Sequence, residues 1–312
     1  MGDPAGIGPE IAVKAWARRA ELPAFEVHGD PDCLARAAQR LGADISSLPI
    51  VPIALATAER AGAPDARNGP AIVNAIRSAV AATQRGAASA IVTCPIAKSV
   101  LYEAGFDFPG HTEFIADLCA TPAADGPLMM LAAADLKVAL VTIHLALKHA
   151  IAGLTSAAIV RAGLILDRAL KRDFAIARPR IALAGLNPHA GENGALGREE
   201  IEIVNPAAAQ LRRAGVEISD AHAPDALFHA GARETYDAAL CLYHDQGLIP
   251  IKTLDFWGGV NMTLGLPIVR TSPDHGTGFD IAGKGIANEA SLVAALRMAA
   301  DVAARRRALA AA

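Results

Sequence analysis

At 312 residues the chain is long enough for one large domain or two of ordinary size, with a substantial core. Hydrophobic residues make up 53% of it and aromatics only 4%, so the core is built from Ala, Val, Ile and Leu, which suits buried parallel strands. A net charge of −3 with scattered Lys and Arg argues against a nucleic-acid binder, and four distant cysteines without a C-x-x-C pair read as buried, reduced thiols of a cytoplasmic protein.

The chain opens on "MGDPAGIGPEIAVKAWARRA", a Gly- and Pro-packed loop from Asp3 to Glu10 that runs into an amphipathic helix. A phosphate-cradling loop, a helix cap and the remains of a longer motif are all open readings here. "FEVHG" then reads as a strand, "PDCLARAAQRLG" as a helix and "LPIVPI" as a strand. In "GPAIVNAIRSAVAATQRG" Ile72, Ile76, Ala79 and Val80 share one face and Gly86 marks the stop, which predicts a core-facing helix. "SAIVTCP" is the next strand, and "GHTEF" places His111 and Thr112 at a helix start, where Thr112 suits capping or the backbone suits an anion. The most apolar stretch, "LMMLAAADLKVALVTIHLALKHAIAGL", is broken by Asp135, Lys137, His144 and Lys148 and so is not a membrane span. Its "KVALVTIH" portion is a strand. "TSAAIVRAGLILDRALKRDF" and "REEIEIVNPAAAQLRRAG" read as helices around the strand "RIALAGLNP". "AALCLYH" and "VNMTLG" follow as strands, and "EASLVAALRMAADVAARRRAL" is the last helix. This alternation predicts an α/β fold with a mostly parallel sheet covered on both faces.

In such sheets ligands gather at the carboxyl ends of the strands. Three strands end in the same residue type, at His144, His189 and His244. Each is either a hydrogen-bonded structural imidazole or, taken together, part of a divalent-metal site with open positions. Asp245 follows His244 directly and Asp225 lies in a polar loop before the same strand. Each suits a general base, an orienter of a ligating histidine, or a turn carboxylate. Lys252, Asn261 and Arg270 recur at nine-residue intervals and suit a substrate carboxylate or phosphate, or a solvated strand edge. "SPDHGTGFDIAGKGIANEASL" is a long Gly-punctuated loop without G-x-G-x-x-G spacing, so a Rossmann dinucleotide site is not supported.

Together "MGDPAGIGPE", "GHTEF", "GLNPHAGENG", "YHDQGLIPIK", "GVNMTLGLP" and "RTSPDHGT" resemble, in order and from end to end, the 4-hydroxythreonine-4-phosphate dehydrogenase family of vitamin B6 biosynthesis. "GDPAGIGPE" and "HGTGFDIAGKGIAN" are also similar to loops of the isocitrate and isopropylmalate dehydrogenase fold. That resemblance implies a two-lobed α/β/α sandwich that binds NAD without a Rossmann motif, with the active site in the cleft between lobes. It implies a first lobe of residues 1–109 plus 270–312, carrying the cofactor loop, and a second of 110–269, carrying the metal and substrate site and a homodimer interface. Carried over position by position, it makes His144, His189 and His244 ligands of one divalent metal per subunit (zinc, magnesium or cobalt), shared across the dimer. It makes His111, Thr112, Lys252, Asn261 and Arg270 substrate-binding, and Asp225 and Asp245 catalytic. The loop from His275 to Asn288, with Gly276, Thr277 and Asp280, would hold the adenosine half of NAD or NADP.

The implied reaction is NAD-dependent oxidation of 4-phosphooxy-L-threonine to 2-amino-3-oxo-4-phosphooxybutanoate, which decarboxylates to 3-amino-2-oxopropyl phosphate. The competing expectations are a paralogous dehydrogenase of D-threonate or D-erythronate 4-phosphate and, more distantly, a phosphate acyltransferase on the same fold. Neither nucleic acid nor membrane is an expected partner. Family members carry a short apolar strand before the opening motif, so a natural chain that starts upstream of Met1 is also expected; a missing strand would leave exposed sheet edges.

Overall fold

The computed structural model describes residues 1–311. Its strands are β1 (Val27–Gly29), β2 (Ile50–Pro52), β3 (Ile91–Val92), β4 (Leu128–Ala133), β5 (Leu136–Leu140), β6 (Arg180–Ala184), β7 (Glu217–His222), β8 (Ala238–Cys241), β9 (Val260–Leu264) and β10 (Arg270–Pro273). Its α-helices are α1 (Gly8–Ala17), α2 (Pro31–Leu41), α3 (Gly69–Gln84), α4 (Lys98–Glu103), α5 (His111–Leu118), α6 (Leu147–Ala152), α7 (Ser156–Phe174), α8 (Asn205–Arg213), α9 (Ala230–Arg233), α10 (His244–Leu254) and α11 (Ala290–Ala311). The chain divides into two compact units, one of Met1–Thr121 with Pro267–Ala303 and one of Pro122–Leu266 with the end of α11 from Ala304.

In the first unit β1 pairs with β2 and β3 with β10, both in parallel. Asp30 starts α2 by accepting from Cys33 N at 2.8 Å, and Gly42 at φ 63° ends it. Ile72, Ile76 and Val80 of α3 are buried as their spacing requires, and the helix stops one residue before Gly86. A core of Val13, Trp16, Val27, Leu34 and Leu48 joins α1, α2 and β1.

The second unit is a six-stranded run in the order β9-β4-β5-β8-β6-β7. β5, β8, β6 and β7 are mutually parallel, while β4 lies antiparallel to both β9 and β5. The sheet is therefore mixed rather than simply parallel. "LMMLAA" has no polar alternation because every residue of β4 is buried, so periodicity carries no strand signal there. β7, "EISDAH", is a half-exposed polar strand that reads as loop in the sequence. Leu131, Leu136, Val138, Leu140, Ala182 and Ile251 form the core beneath α10. On α7, Gly163 lets α8 come close: a Cβ there would lie 2.5 Å from Leu211 Cδ1.

Candidate active site

β5, β8 and β6 are adjacent and parallel, so their carboxyl ends lie side by side. His144 follows β5, His244 follows β8 and His189 follows β6. The His144 and His244 rings are brought together, with centroids 5.6 Å apart. Among the described residues of the single chain no group of three or more His, Cys, Asp or Glu side chains is placed to hold a metal, so His189 does not join that pair within one subunit. His144 and His189 share an uncommon backbone: both are left-handed, at φ 42° and 52°. Such strain in a non-glycine residue persists only where surroundings enforce it, and it clusters at functional sites.

The strand ends are stitched by the half-buried Thr142 and the buried Gln246, which sequence reasoning missed. Thr142 Oγ1 donates to Leu242 O at 2.7 Å, joining the ends of β5 and β8. Gln246 Oε1 accepts from Leu242 N at 2.7 Å, and its Nε2 donates to Gly185 O at 2.6 Å, joining β8 to β6. Gln246 stands inside the quoted "YHDQG" motif, which was the only available signal. None of the three histidines ends a strand: β5 stops at Leu140, β6 at Ala184 and β8 at Cys241, His189 lies in the Pro188–Gly194 turn and His244 is the first residue of α10.

Asp245 Oδ1 lies 2.7 Å from His244 Nδ1, which turns the opposite ring nitrogen outward in the manner of a carboxylate-oriented ligand. The donor set of two neighbouring imidazoles, one backed by a carboxylate, fits a divalent transition metal. Asp225 lies in the short turn Pro224–Ala226 and is exposed. Lys252 is in the last turn of α10 and Asn261 on β9, so their nine-residue recurrence with Arg270 reflects no shared strand edge. Asn261 Oδ1 is buried without a hydrogen-bond partner in the chain.

Arg270 and His111 fall in the first unit. Arg270, on β10, is 3% exposed and donates from Nη2 to Thr93 Oγ1 at 2.7 Å. Burial pulls its guanidinium down to about 10, and it stays charged at neutral pH. His111 opens α5, and its imidazole is held well below the ordinary histidine range by burial first and then by the charge of Arg270. Its Nε2 is buried with no partner in the chain. Thr112 does not cap α5: Gly110 occupies that position and no side chain closes the end.

The opening loop meets the Gly-punctuated loop within the first unit. Ile7 N donates to Thr277 O at 2.8 Å, and a Cβ on Gly6 would lie 2.8 Å from the same oxygen. The buried Glu10 accepts from Ala287 N at 2.9 Å and Gly285 N at 3.3 Å, and Lys14 Nζ donates to Gly285 O at 2.9 Å. His275 Nδ1 lies 3.0 Å from Gly276 O, while its Nε2 is buried without a partner in the chain. Gly276 and Asp280 are exposed, and Asn288 accepts from Ala290 N at 2.8 Å at the start of α11.

The family described as "Pyridoxal phosphate biosynthetic protein PdxA" matches residues 11–299. The 4-hydroxythreonine-4-phosphate dehydrogenase of Caulobacter vibrioides is 54% identical over 321 residues, covering 98% of this chain and 96% of that protein. Its counterpart in Maricaulis maris is 55% identical over 326 residues, covering 97% and 96%. The crystal structure of 4-hydroxythreonine-4-phosphate dehydrogenase from Klebsiella pneumoniae matches with a TM-score of 0.87 at 39% identity, over 97% of this chain and 96% of that one. These likenesses define an oxidoreductase with the isocitrate dehydrogenase-like α/β fold. The chain belongs to the family of the pyridoxal phosphate biosynthetic protein PdxA.

Proposed function

We propose that this chain oxidises the secondary alcohol of 4-phosphooxy-L-threonine with NAD or NADP. The product, 2-amino-3-oxo-4-phosphooxybutanoate, then loses carbon dioxide to give 3-amino-2-oxopropyl phosphate for pyridoxal 5'-phosphate synthesis. Family membership supports the reading, and one observation carries its chemistry: His144, His244 and His189 follow three adjacent parallel strands at one sheet edge. A divalent ion on these imidazoles would polarise the alcohol and then the ketone oxygen, and NAD would accept the hydride.

The chain's own residues do the rest. The hydrogen bond of Asp245 to His244 favours an orienting role for it, which leaves Asp225 as the acceptor of the hydroxyl proton. Arg270, His111 and Thr112, with Lys252 and Asn261, bind the anionic and polar groups of the substrate and orient the reacting carbon. The loop carrying His275, Gly276, Thr277, Asp280 and Asn288 holds the adenosine half of the cofactor, steadied by its bonds to the opening loop. The working form is a homodimer with a shared metal site. Its interface draws on the exposed Leu145 and Leu147, which follow His144, and on the exposed Ile249, Phe256 and Trp257 on and after α10, the helix that His244 opens. The buried or half-buried free cysteines suit the reducing cytoplasm, and no helix among the described residues is long and apolar enough to cross a membrane.

The test is NAD reduction measured side by side with 4-phosphooxy-L-threonine and D-threonate 4-phosphate. Preference for the amino acid is expected. Preference for the sugar acid would assign the site to the paralogous reaction instead.

A further inference from the structure

Five consecutive residues, His189, Ala190, Gly191, Glu192 and Asn193, have φ of 52°, 50°, 82°, 42° and 54°. Four of them carry a Cβ, which the left-handed conformation crowds against the following carbonyl oxygen. A single αL residue is ordinary at a turn; a run of this length is held by its surroundings. The backbone bonds within the loop, Ala190 N to Asn187 O, Ala195 N to Glu192 O and Leu196 N to Gly191 O, each at 3.1 Å, shape the turn but do not fasten it.

Glu200 fastens it. The residue is 2% exposed, and its Oε1 accepts from Leu186 N at 2.7 Å and Asn187 N at 2.8 Å. Its Oε2 accepts from Asn187 Nδ2 at 2.9 Å, and that amide also donates to Glu199 Oε2 at 2.7 Å. On the far side the carboxylate lies against Gly191, where a Cβ would stand 2.7 Å from Oε2. One buried carboxylate is therefore bonded to the entry of the loop and packed against its midpoint, on either side of His189. It is presented by the single π-turn Glu200–Val204 ahead of α8, a local irregularity of the kind found at functional sites. Buried acceptors of this sort matter because their removal strands several N–H groups at once.

We propose that Glu200 is the positioning residue for His189. It acts through the 186–193 loop and touches no substrate. The inference rests on the reading of His189 as a metal ligand, and the experiment separates the two. Cobalt(II) is titrated into metal-free protein by calorimetry, with the visible d–d spectrum followed in parallel. The variants are His189→Ala, Glu200→Gln and Glu200→Ala, all at a temperature well below unfolding. Glu200→Gln keeps an acceptor for the two backbone N–H groups but sets an amide against Asn187 Nδ2, so it disturbs the loop less than Glu200→Ala. The expected result is a cobalt affinity weakened about 10- to 100-fold in Glu200→Gln, with an altered d–d spectrum. A larger loss is expected in His189→Ala. A lowered melting temperature with unchanged affinity and spectrum in Glu200→Gln, while His189→Ala binds weakly, overturns the positioning role and leaves the metal reading standing. Unchanged affinity in His189→Ala overturns both.

Discussion

The Gln246 side-chain amide donates to the Gly185 carbonyl at 2.6 Å, so the first turn of α10 is tied to the strand end that leads to His189. The same side chain accepts from Leu242 N at 2.7 Å. Gln246→Met keeps the volume and removes both bonds, leaving a buried donor and a buried acceptor unmet at about 1–3 kcal/mol each. A combined loss of stability of about 2–6 kcal/mol is expected in urea denaturation. Thr142→Val removes one bond, that to Leu242 O, and is expected to be milder. Equal stability of wild type and Gln246→Met would show that water replaces both bonds.

Proton uptake is expected on substrate binding. The His111 imidazole is depressed by burial and then by Arg270, so it is neutral at neutral pH. An anion bound beside Arg270 cancels that charge and favours the protonated ring. Binding therefore strengthens as pH falls through the value of the ring in the complex, which burial keeps below the ordinary histidine range. Calorimetry in two buffers of different ionisation enthalpy reads the uptake directly, and His111→Asn is expected to abolish it.

Arg270→Lys tests planar recognition. Lysine keeps the charge but loses the fork, and its buried donor no longer spans both Thr93 Oγ1 and the substrate. An increase in KM of about 10- to 100-fold is expected, equivalent to ~1.4–2.7 kcal/mol, with a smaller change in kcat. A KM within twofold of wild type would place the substrate anion elsewhere.

Asp173 anchors the end of the chain within the second unit. Fully buried, it accepts from Arg306 Nε at 2.7 Å and Nη2 at 2.9 Å and from Arg172 Nε at 2.7 Å. Burial pushes its carboxyl up, but the two guanidiniums outweigh burial and leave it below the ordinary range. A depressed carboxyl contributes stability that is complete above the unfolded value of ~3.9 and is lost as pH falls through the folded value. Asp173→Asn is expected to destabilise by about 3–5 kcal/mol at neutral pH, with the gap narrowing below that range. A gap independent of pH would remove charge from the explanation.

Much of this was legible in the sequence, for reasons that also mark its limits. α2, α3, α7 and α11 declare themselves by periodicity and stop signals, and β5, β6 and β8 are short apolar runs bounded by loops. The segments that follow those three strands carry His144, His189 and His244, so the candidate ligands stand out before any fold is known. β4 hides because burial on both faces erases alternation, and α10 hides because Pro250 and Gly247 argue against a helix. Three-dimensional relations lie further out of reach. Nothing in "NPHAGENG" says that His189 begins a left-handed run, and nothing in "GREE" says that its second glutamate is the buried one.

The most direct test is the anomalous-scattering crystal structure of the cobalt- or zinc-loaded protein. The expected result is one ion with nitrogens of His144, His189 and His244 at ~2.0–2.3 Å, divided between two subunits. An ion bound elsewhere, or His189 distant from the His144–His244 pair in every subunit combination, would contradict the account.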